Sequence, residues 1–349
     1  MTARVAERPT VRERGRATDV AGVLVLGSCV LWALVCASGR DARPEGVVLA
    51  VLAVGAGYAV GRIVGTLLPV AAAAAAALGL LGLVLFPGDG VPGAVDAAVP
   101  MGRTGASAAL LALAAGAACC AAAAAGPGPL RTALRALAVA AVGAAAVLGS
   151  AVGLIASLGV LLCSLAAVRM RRRVLGLAGL ALAAGLVVGG SWAVATDALP
   201  QGPADSAEGL LTGHRVLLWR DAVAMVRQDP LLGVGPDRFG ELSPTAQQTL
   251  YADGKPHSAA LQQAAEQGVP GVVLLGAAYG WLLWGLASSP RPTSVVLTAG
   301  ATLAALAVVA SVGNALSFTP VTVAAGLLAG LATAREPAAT STGPDDAEP

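Results

Sequence analysis

Apolar runs of bilayer length recur along nearly the whole chain, and they decide what it can fold into. The first is Val20 to Ser38, and others follow at 47–64, 66–86, 105–125, 132–149, 152–168, 174–195, 269–287, 293–312 and 320–334. A helix rises about 1.5 Å per residue, so runs of this size match the ~30 Å hydrocarbon core of a bilayer. With every backbone group needing a partner inside lipid, the spanning form for such runs is the helix. Hydrophobic residues make up 56% of the chain and charged ones 12%, against roughly a quarter charged in soluble domains. The expected fold is an all-α integral membrane protein of about ten transmembrane helices.

Two divisions between spans need argument. Arg131 to Val168 contains some 34 apolar residues, about 50 Å of helix and too long for one crossing, so a tight hairpin near Ser150 is expected. A second break is expected near Gly65. The apolar residues are mostly Ala, Leu, Val and Gly and aromatics are only 3%, which predicts close, small-residue helix contacts. Val20 to Ser38 is too long for the apolar core of a cleaved signal peptide and reads as the first span.

Charge placement orients the chain. With the amino terminus inside, the cytoplasmic segments carry Arg4, Arg8, Arg12, Arg14, Arg16, Arg62, Arg131, Arg135, Arg169, Arg171, Arg172, Arg173, Arg291 and Arg335. The opposite short loops carry only Arg40, Arg43 and Arg103. By the positive-inside rule both termini lie in the cytoplasm of a plasma-membrane protein, and the long segment after Ala195 lies outside. The expected organisation is a disordered tail at 1–19, helices at 20–195, an extracytoplasmic loop at 196–268, helices at 269–334, and an acidic, Pro-rich tail at 335–349. No internal repeat and no second domain are apparent.

Cys29, Cys36, Cys119, Cys120 and Cys163 all fall within expected spans, so neither a disulfide framework nor a thiolate metal site is expected. The two histidines have no second ligand at metal-binding spacing, and no metal or other cofactor is expected.

The polar exception is the stretch from Asp197 to Gly271. It holds both histidines, His214 and His257, the sole lysine, Lys255, and Arg215, Arg220, Arg227 and Arg238. Thr212 can cap a helix running to Gln228, where Asp229-Pro230 stops it. On that helix Arg215, Trp219, Ala222 and Val226 share one face, with Arg220 and Arg227 on its flank. An arginine on an apolar face either meets an anion or snorkels to water, while flank arginines suit solvent or lipid headgroups. Leu231 to Phe239 then reads LLGVGPDRF, a tight turn whose glycines either serve the turn alone or let backbone amides line an anion site. It lacks the Gly-Lys-Ser/Thr ending of a phosphate loop. His257 stands just ahead of a short helix that Gly268 ends, with Val269-Pro270 opening the next span. Glu266 on that helix can pair with a loop arginine or meet an acceptor.

Three blocks occur here in order: Arg215-x-x-x-Trp219, then Asp229-Pro-Leu-Leu-Gly-Val-Gly-Pro-x-x-Phe239, then His257-Ser-x-x-Leu261-x-x-x-x-Glu266-x-Gly-Val-Pro-Gly271. Together they resemble the signature outer loop of the O-antigen ligase and O-antigen polymerase family. The resemblance implies a glycosyltransferase of the C-type membrane architecture. Such an enzyme takes a glycan from an undecaprenyl diphosphate carrier and passes it to a hydroxyl on a glycan or lipid, with inversion and without metal or nucleotide sugar. By position, Arg215 matches the arginine that contacts the donor diphosphate, and His257 matches the histidine that activates the acceptor. Trp219, Arg220, Arg227, Arg238 and Glu266 are the further candidates for substrate binding. The implied partners are the lipid-linked donor, the hydroxyl acceptor and membrane lipids, and no nucleic acid.

Two departures stand against this pattern. The family's Ser-Arg-Gly type sequence on an earlier span has as its counterpart Ser150-Ala151-Val152-Gly153, which lacks the arginine. Arg220, Arg227, Arg238 or Arg103 then has to supply that charge. The residue after the histidine, usually Asn, is Ser258. The alternatives are a non-catalytic family member and a binding or transport protein for lipid-linked glycans.

Overall fold

The structure, a computed structural model, describes residues 11–86, 100–196, 198, 213–248 and 254–335. The apolar runs become helices: α1 (Val11–Ala37), α2 (Glu45–Leu67), α3 (Pro69–Leu85), α4 (Pro100–Ala124), α5 (Pro129–Val147), α6 (Ala151–Ala167) and α7 (Arg173–Ala195). The polar stretch contributes α8 (Gly213–Gln228), α9 (Phe239–Leu242) and α10 (Pro244–Gln247). After it come α11 (Ala259–Ala287), α12 (Thr293–Val312) and α13 (Thr319–Thr333). Among the described residues, 7 helices are long and apolar enough to cross a membrane, while α3, α6 and α13 are shorter apolar helices. The chain is therefore an all-α, multi-pass membrane protein.

The expected breaks have local causes. Pro69 starts α3 directly after Leu68, since proline lacks the amide that would continue α2. Gly149 takes φ +66°, and the Ser150 hydroxyl accepts the Gly153 amide at 3.1 Å, so the stretch from 131 to 168 is a hairpin capped at the start of α6. At the amino end, α1 begins at Val11, so part of the expected tail is helical. That early turn is held by the Arg62–Asp19 ion pair and by the Trp281 indole, which donates to the Thr18 carbonyl at 2.8 Å. The tail residues 1–10 and 336–349 lie outside the described residues, as does the expected cap Thr212.

Two helices form the centre of the bundle. In α4 and α12, 89% and 78% of the apolar window is buried, whereas the outer spans bury 17–28%. The middle of α4 is largely alanine, which lets α3, α5, α6 and α12 approach it from several sides. The α2–α13 seam is closer still: a Cβ on Gly61 would stand 2.2 Å from the Leu327 carbonyl oxygen, and one on Gly326 would stand 2.2 Å from that of Val54. The five cysteines are free thiols.

The polar stretch folds into a cap at one end of this bundle. Leu218, Trp219, Ala222, Met225, Phe239 and Leu261 form its small apolar core, with Ala195 and Trp192 of α7 and Val312 of α12 packed beneath. Thus the carboxyl ends of α7 and α12 carry the cap. Gly268 leaves the helical region (φ +69°, ψ −168°) and divides α11 into a part within the cap and the apolar span from Val269.

Candidate active site

Helix α8 has the amphipathic face that its phase predicts. Val216, Trp219, Ala222, Val223 and Val226 are buried, while Arg220 and Arg227 are exposed. Trp219 is 0% exposed, and its indole Nε1 donates to the Pro256 carbonyl at 2.8 Å. Burying such a ring contributes on the order of 2–3 kcal/mol, and the bond directs that gain to the segment bearing His257. Trp219 is enclosed in the cap and supports the segment bearing His257.

Arg215 lies one turn before Trp219 on the same face and is half-buried. Among the described residues it has no carboxylate partner, and burial alone pushes its guanidinium pKa down. A cation withdrawn from water and left without an anion is a site that an anionic ligand completes. Arg227 sits in the last turn of α8, where a positive charge suits the helix dipole. Arg238 packs its stem over Gly235, and its Nε faces Glu241 at 3.8 Å. The structure thus separates Arg215 from the three other loop arginines by burial and partners.

His257 is 8% exposed and has φ +54°, a left-handed conformation uncommon for a residue with a side chain. Such backbone persists only when its surroundings hold it, and the Trp219–Pro256 bond acts on the preceding residue. Ser258 follows as the N-cap residue of α11, and its buried hydroxyl has no hydrogen-bond partner among the described residues.

The glycine-rich block serves the fold. Gly233, Gly235 and Asp237 have φ of +61°, +102° and +61°. The Val234 amide donates to the Ala265 carbonyl at 2.8 Å and the Gly235 amide to the Glu266 carbonyl at 2.9 Å, while Val269 N reaches the Pro230 carbonyl at 2.8 Å. These amides satisfy the end of the helical segment before Gly268, so they line no anion site. A Cβ on Gly233 would stand 2.5 Å from the Ala265 carbonyl oxygen, which explains the glycine there. Asp229 accepts the Leu232 amide at 3.0 Å and Arg40 Nη2 at 3.2 Å. Its carboxyl pKa is held low, first by the Leu232 amide and then by Arg40.

Glu266 lies ahead of the Gly268 break, within the cap, and is 3% exposed. Gln262 Nε2 donates to its carboxylate at 3.2 Å, and the Asp237 amide also donates to it. Burial outweighs these bonds and pushes its pKa up to about 7. It meets neither Arg215 nor another loop arginine in a hydrogen bond.

Several contributors escape sequence reasoning. Arg40, from the α1–α2 connection, donates Nη1 to the Gly233 carbonyl at 2.6 Å, and Arg43 N reaches the Pro236 carbonyl at 3.0 Å. Trp32 Nε1 donates to the Gln267 carbonyl at 3.0 Å. On the other side, Lys255 Nζ lies 3.4 Å from Ser317 Oγ, whose hydroxyl donates to Asn314 Oδ1, so the α12–α13 connection borders the histidine segment. For Arg40, Arg43 and Ser317 a signal existed, since they are polar residues between apolar spans. The partners of these contributors were invisible because 62 to 235 positions separate them in sequence. Ser150–Gly153 also lies at the cap end, where a Cβ on Gly153 would stand 3.2 Å from Ala108 Cα of α4. Arg103 is on the first turn of that same helix.

Residues 136–276 match the family model described as O-antigen ligase, a segment running from α5 into α11 and including Arg215 and His257. This segment is similar to O-antigen ligases. That supports glycan transfer of the O-antigen ligase type, with a lipid-linked glycan donor and an acceptor as partners. No curated protein matches the chain. Within the matched segment, the three loop blocks have distinct physical work: a half-buried cation, a turn that ends a helix, and an imidazole held in strained backbone. Among the described residues, no group of three or more His, Cys, Asp or Glu side chains is placed to hold a metal ion.

Proposed function

We propose that the protein transfers a glycan from an undecaprenyl diphosphate carrier to a hydroxyl acceptor on the outer face of the cytoplasmic membrane. The termini are then cytoplasmic, the bundle crosses about ten times, and the cap is extracytoplasmic, as the arginine distribution requires. The reading is carried by the Trp219–Pro256 hydrogen bond, which ties the helix bearing Arg215 to the residue before His257.

In the reaction, the acceptor hydroxyl oxygen attacks the anomeric carbon while His257 takes its proton. The bond from that carbon to the diphosphate oxygen breaks, and the electron pair leaves with the diphosphate. Arg215 faces the charge that gathers on this leaving group, in surroundings where water competes less for it. Direct displacement inverts the anomeric centre, and no step requires a metal. General-base help from the histidine contributes about 10²- to 10⁴-fold. Arg220, Arg227, Arg238 or Arg103 supplies the second cation that the Ser-Ala-Val-Gly sequence lacks.

The same sequence favours one other reading. Ser150 is engaged as the cap of α6, and the block has no arginine, as in a non-catalytic partner protein. The test is His257→Ala in membranes supplied with lipid-linked glycan. Transfer by the parent, lost in the variant, supports the proposal; undiminished transfer by the variant removes His257 as base. No transfer by the parent, with no lipid-linked glycan accumulating on deletion, favours the non-catalytic reading.

A further inference from the structure

The bundle end opposite the cap contains a second basic feature, independent of glycan transfer. Arg131 and Arg135 lie one turn apart at the start of α5. They border a small, partly open cleft, lined also by Cys119 of α4, Ser164 at the end of α6, Val168 and Ser294 at the start of α12. The opposite end of α12, at Val312, packs into the cap, which places this cleft across the bundle from His257.

Three observations define what fits there. The Arg131 Nε is buried and has no hydrogen-bond partner among the described residues. A buried donor left unmatched costs about 1–3 kcal/mol, so a ligand that accepts from it is favoured. No carboxylate lines the cleft, and the sequence contains no Asp or Glu between Asp96 and Asp197. Finally, Leu165 and Val168 of the lining expose 47% and 60% of their surface, and Leu130 of α5 and Leu162 of α6 expose 57% and 55%. A soluble anion gains nothing from that apolar rim, whereas a phosphate carrying acyl chains does.

We propose that this cleft binds the phosphate of an anionic phospholipid headgroup, with Arg131 and Arg135 as its cationic donors and Ser164 and Ser294 at its walls. The acyl chains lie along the exposed leucines of α5 and α6. With the cap outside, the lipid belongs to the cytoplasmic leaflet, where anionic headgroups attract basic clusters.

Native mass spectrometry of the full chain in detergent, titrated with phosphatidylglycerol or phosphatidylcholine, tests this. Phosphatidylglycerol should bind about tenfold tighter than phosphatidylcholine, and Arg131→Gln with Arg135→Gln should abolish the difference. Arg171→Gln with Arg172→Gln, outside the cleft, should keep it. Equal loss in both double variants indicates diffuse attraction and overturns the cleft, as does a parent with no preference. Displacement of phosphatidylglycerol by inorganic phosphate alone overturns the lipid assignment in favour of a soluble anion. Should the Gln pair not fold, Ser294→Leu narrows the cleft with both arginines present; an unchanged preference then overturns the proposal.

Discussion

The indole nitrogen of Trp219 donates to the carbonyl of Pro256 at 2.8 Å, joining α8 to the residue before His257 across 37 positions of sequence. Trp219→Phe keeps a buried ring but leaves that carbonyl without its donor, at a cost of about 1–3 kcal/mol. Because His257 has φ +54°, release of its neighbour lets the imidazole leave its position. We expect the variant to fold and to lose about 10- to 100-fold in transfer, since a displacement near 1 Å costs that much. Comparing its transfer rate with its melting temperature checks this: a stable protein with parental turnover would refute the positioning role.

Arg215→Lys distinguishes planar phosphate recognition from simple positive charge. Lysine keeps the charge but not the guanidinium fork, so turnover should fall about tenfold or more, and Arg215→Ala should fall about 10²- to 10³-fold. Kinetics at varied donor and acceptor concentrations locate the loss. An effect confined to acceptor affinity would place Arg215 elsewhere in the site.

The Arg40 clasp predicts a defect in the cap without contact with chemistry. Its guanidinium holds both the Gly233 carbonyl and the Asp229 carboxylate, although the Asp229 side chain is 39% exposed, so the ion pair itself contributes at most about 1 kcal/mol. Arg40→Gln should speed proteolysis within 231–238 and lower the melting temperature slightly. Limited proteolysis of the purified protein reads this, and an unchanged cleavage rate would show the clasp to be dispensable.

Glu266 gives stability a pH dependence. Its folded pKa, pushed up to about 7 by burial, is above the ordinary value of 4.5. The folded state therefore binds more protons than the unfolded state between those values, and stability falls as pH rises from about 4.5 to about 7. Glu266→Gln should flatten that part of the curve. Melting temperatures of parent and variant at pH 5, 6, 7 and 8 test it, and parallel curves would exclude Glu266 as the source.

Much of this protein is legible in one dimension because lipid imposes a strict rule. Apolar runs at 20–38 or 293–312 have to become helices, since hydrocarbon offers their backbone no other partner. The phase of α8 is likewise readable, for Arg215, Trp219, Ala222 and Val226 fall on one face by rotation alone. Gly268 and Pro270 mark the break in α11 because one permits unusual backbone angles and the other lacks an amide.

Other features depend on which segments meet. Gly233 and Gly235 permit both an anion cradle and a plain turn, and the choice fell to the carbonyls of Ala265 and Glu266, which engage the neighbouring amides. Trp219 carries a single donor whose acceptor, Pro256, comes from a distant loop, and Arg40 finds Gly233 only when α1 and α2 bring their connection to the cap. The sequence by itself determined the helices, their apolar faces and the residues able to bear charge, because these follow from solvation and local geometry. Only the tertiary structure decided which cations remain unpaired and which amides are engaged, because hydrogen bonding and desolvation are set by neighbours in space.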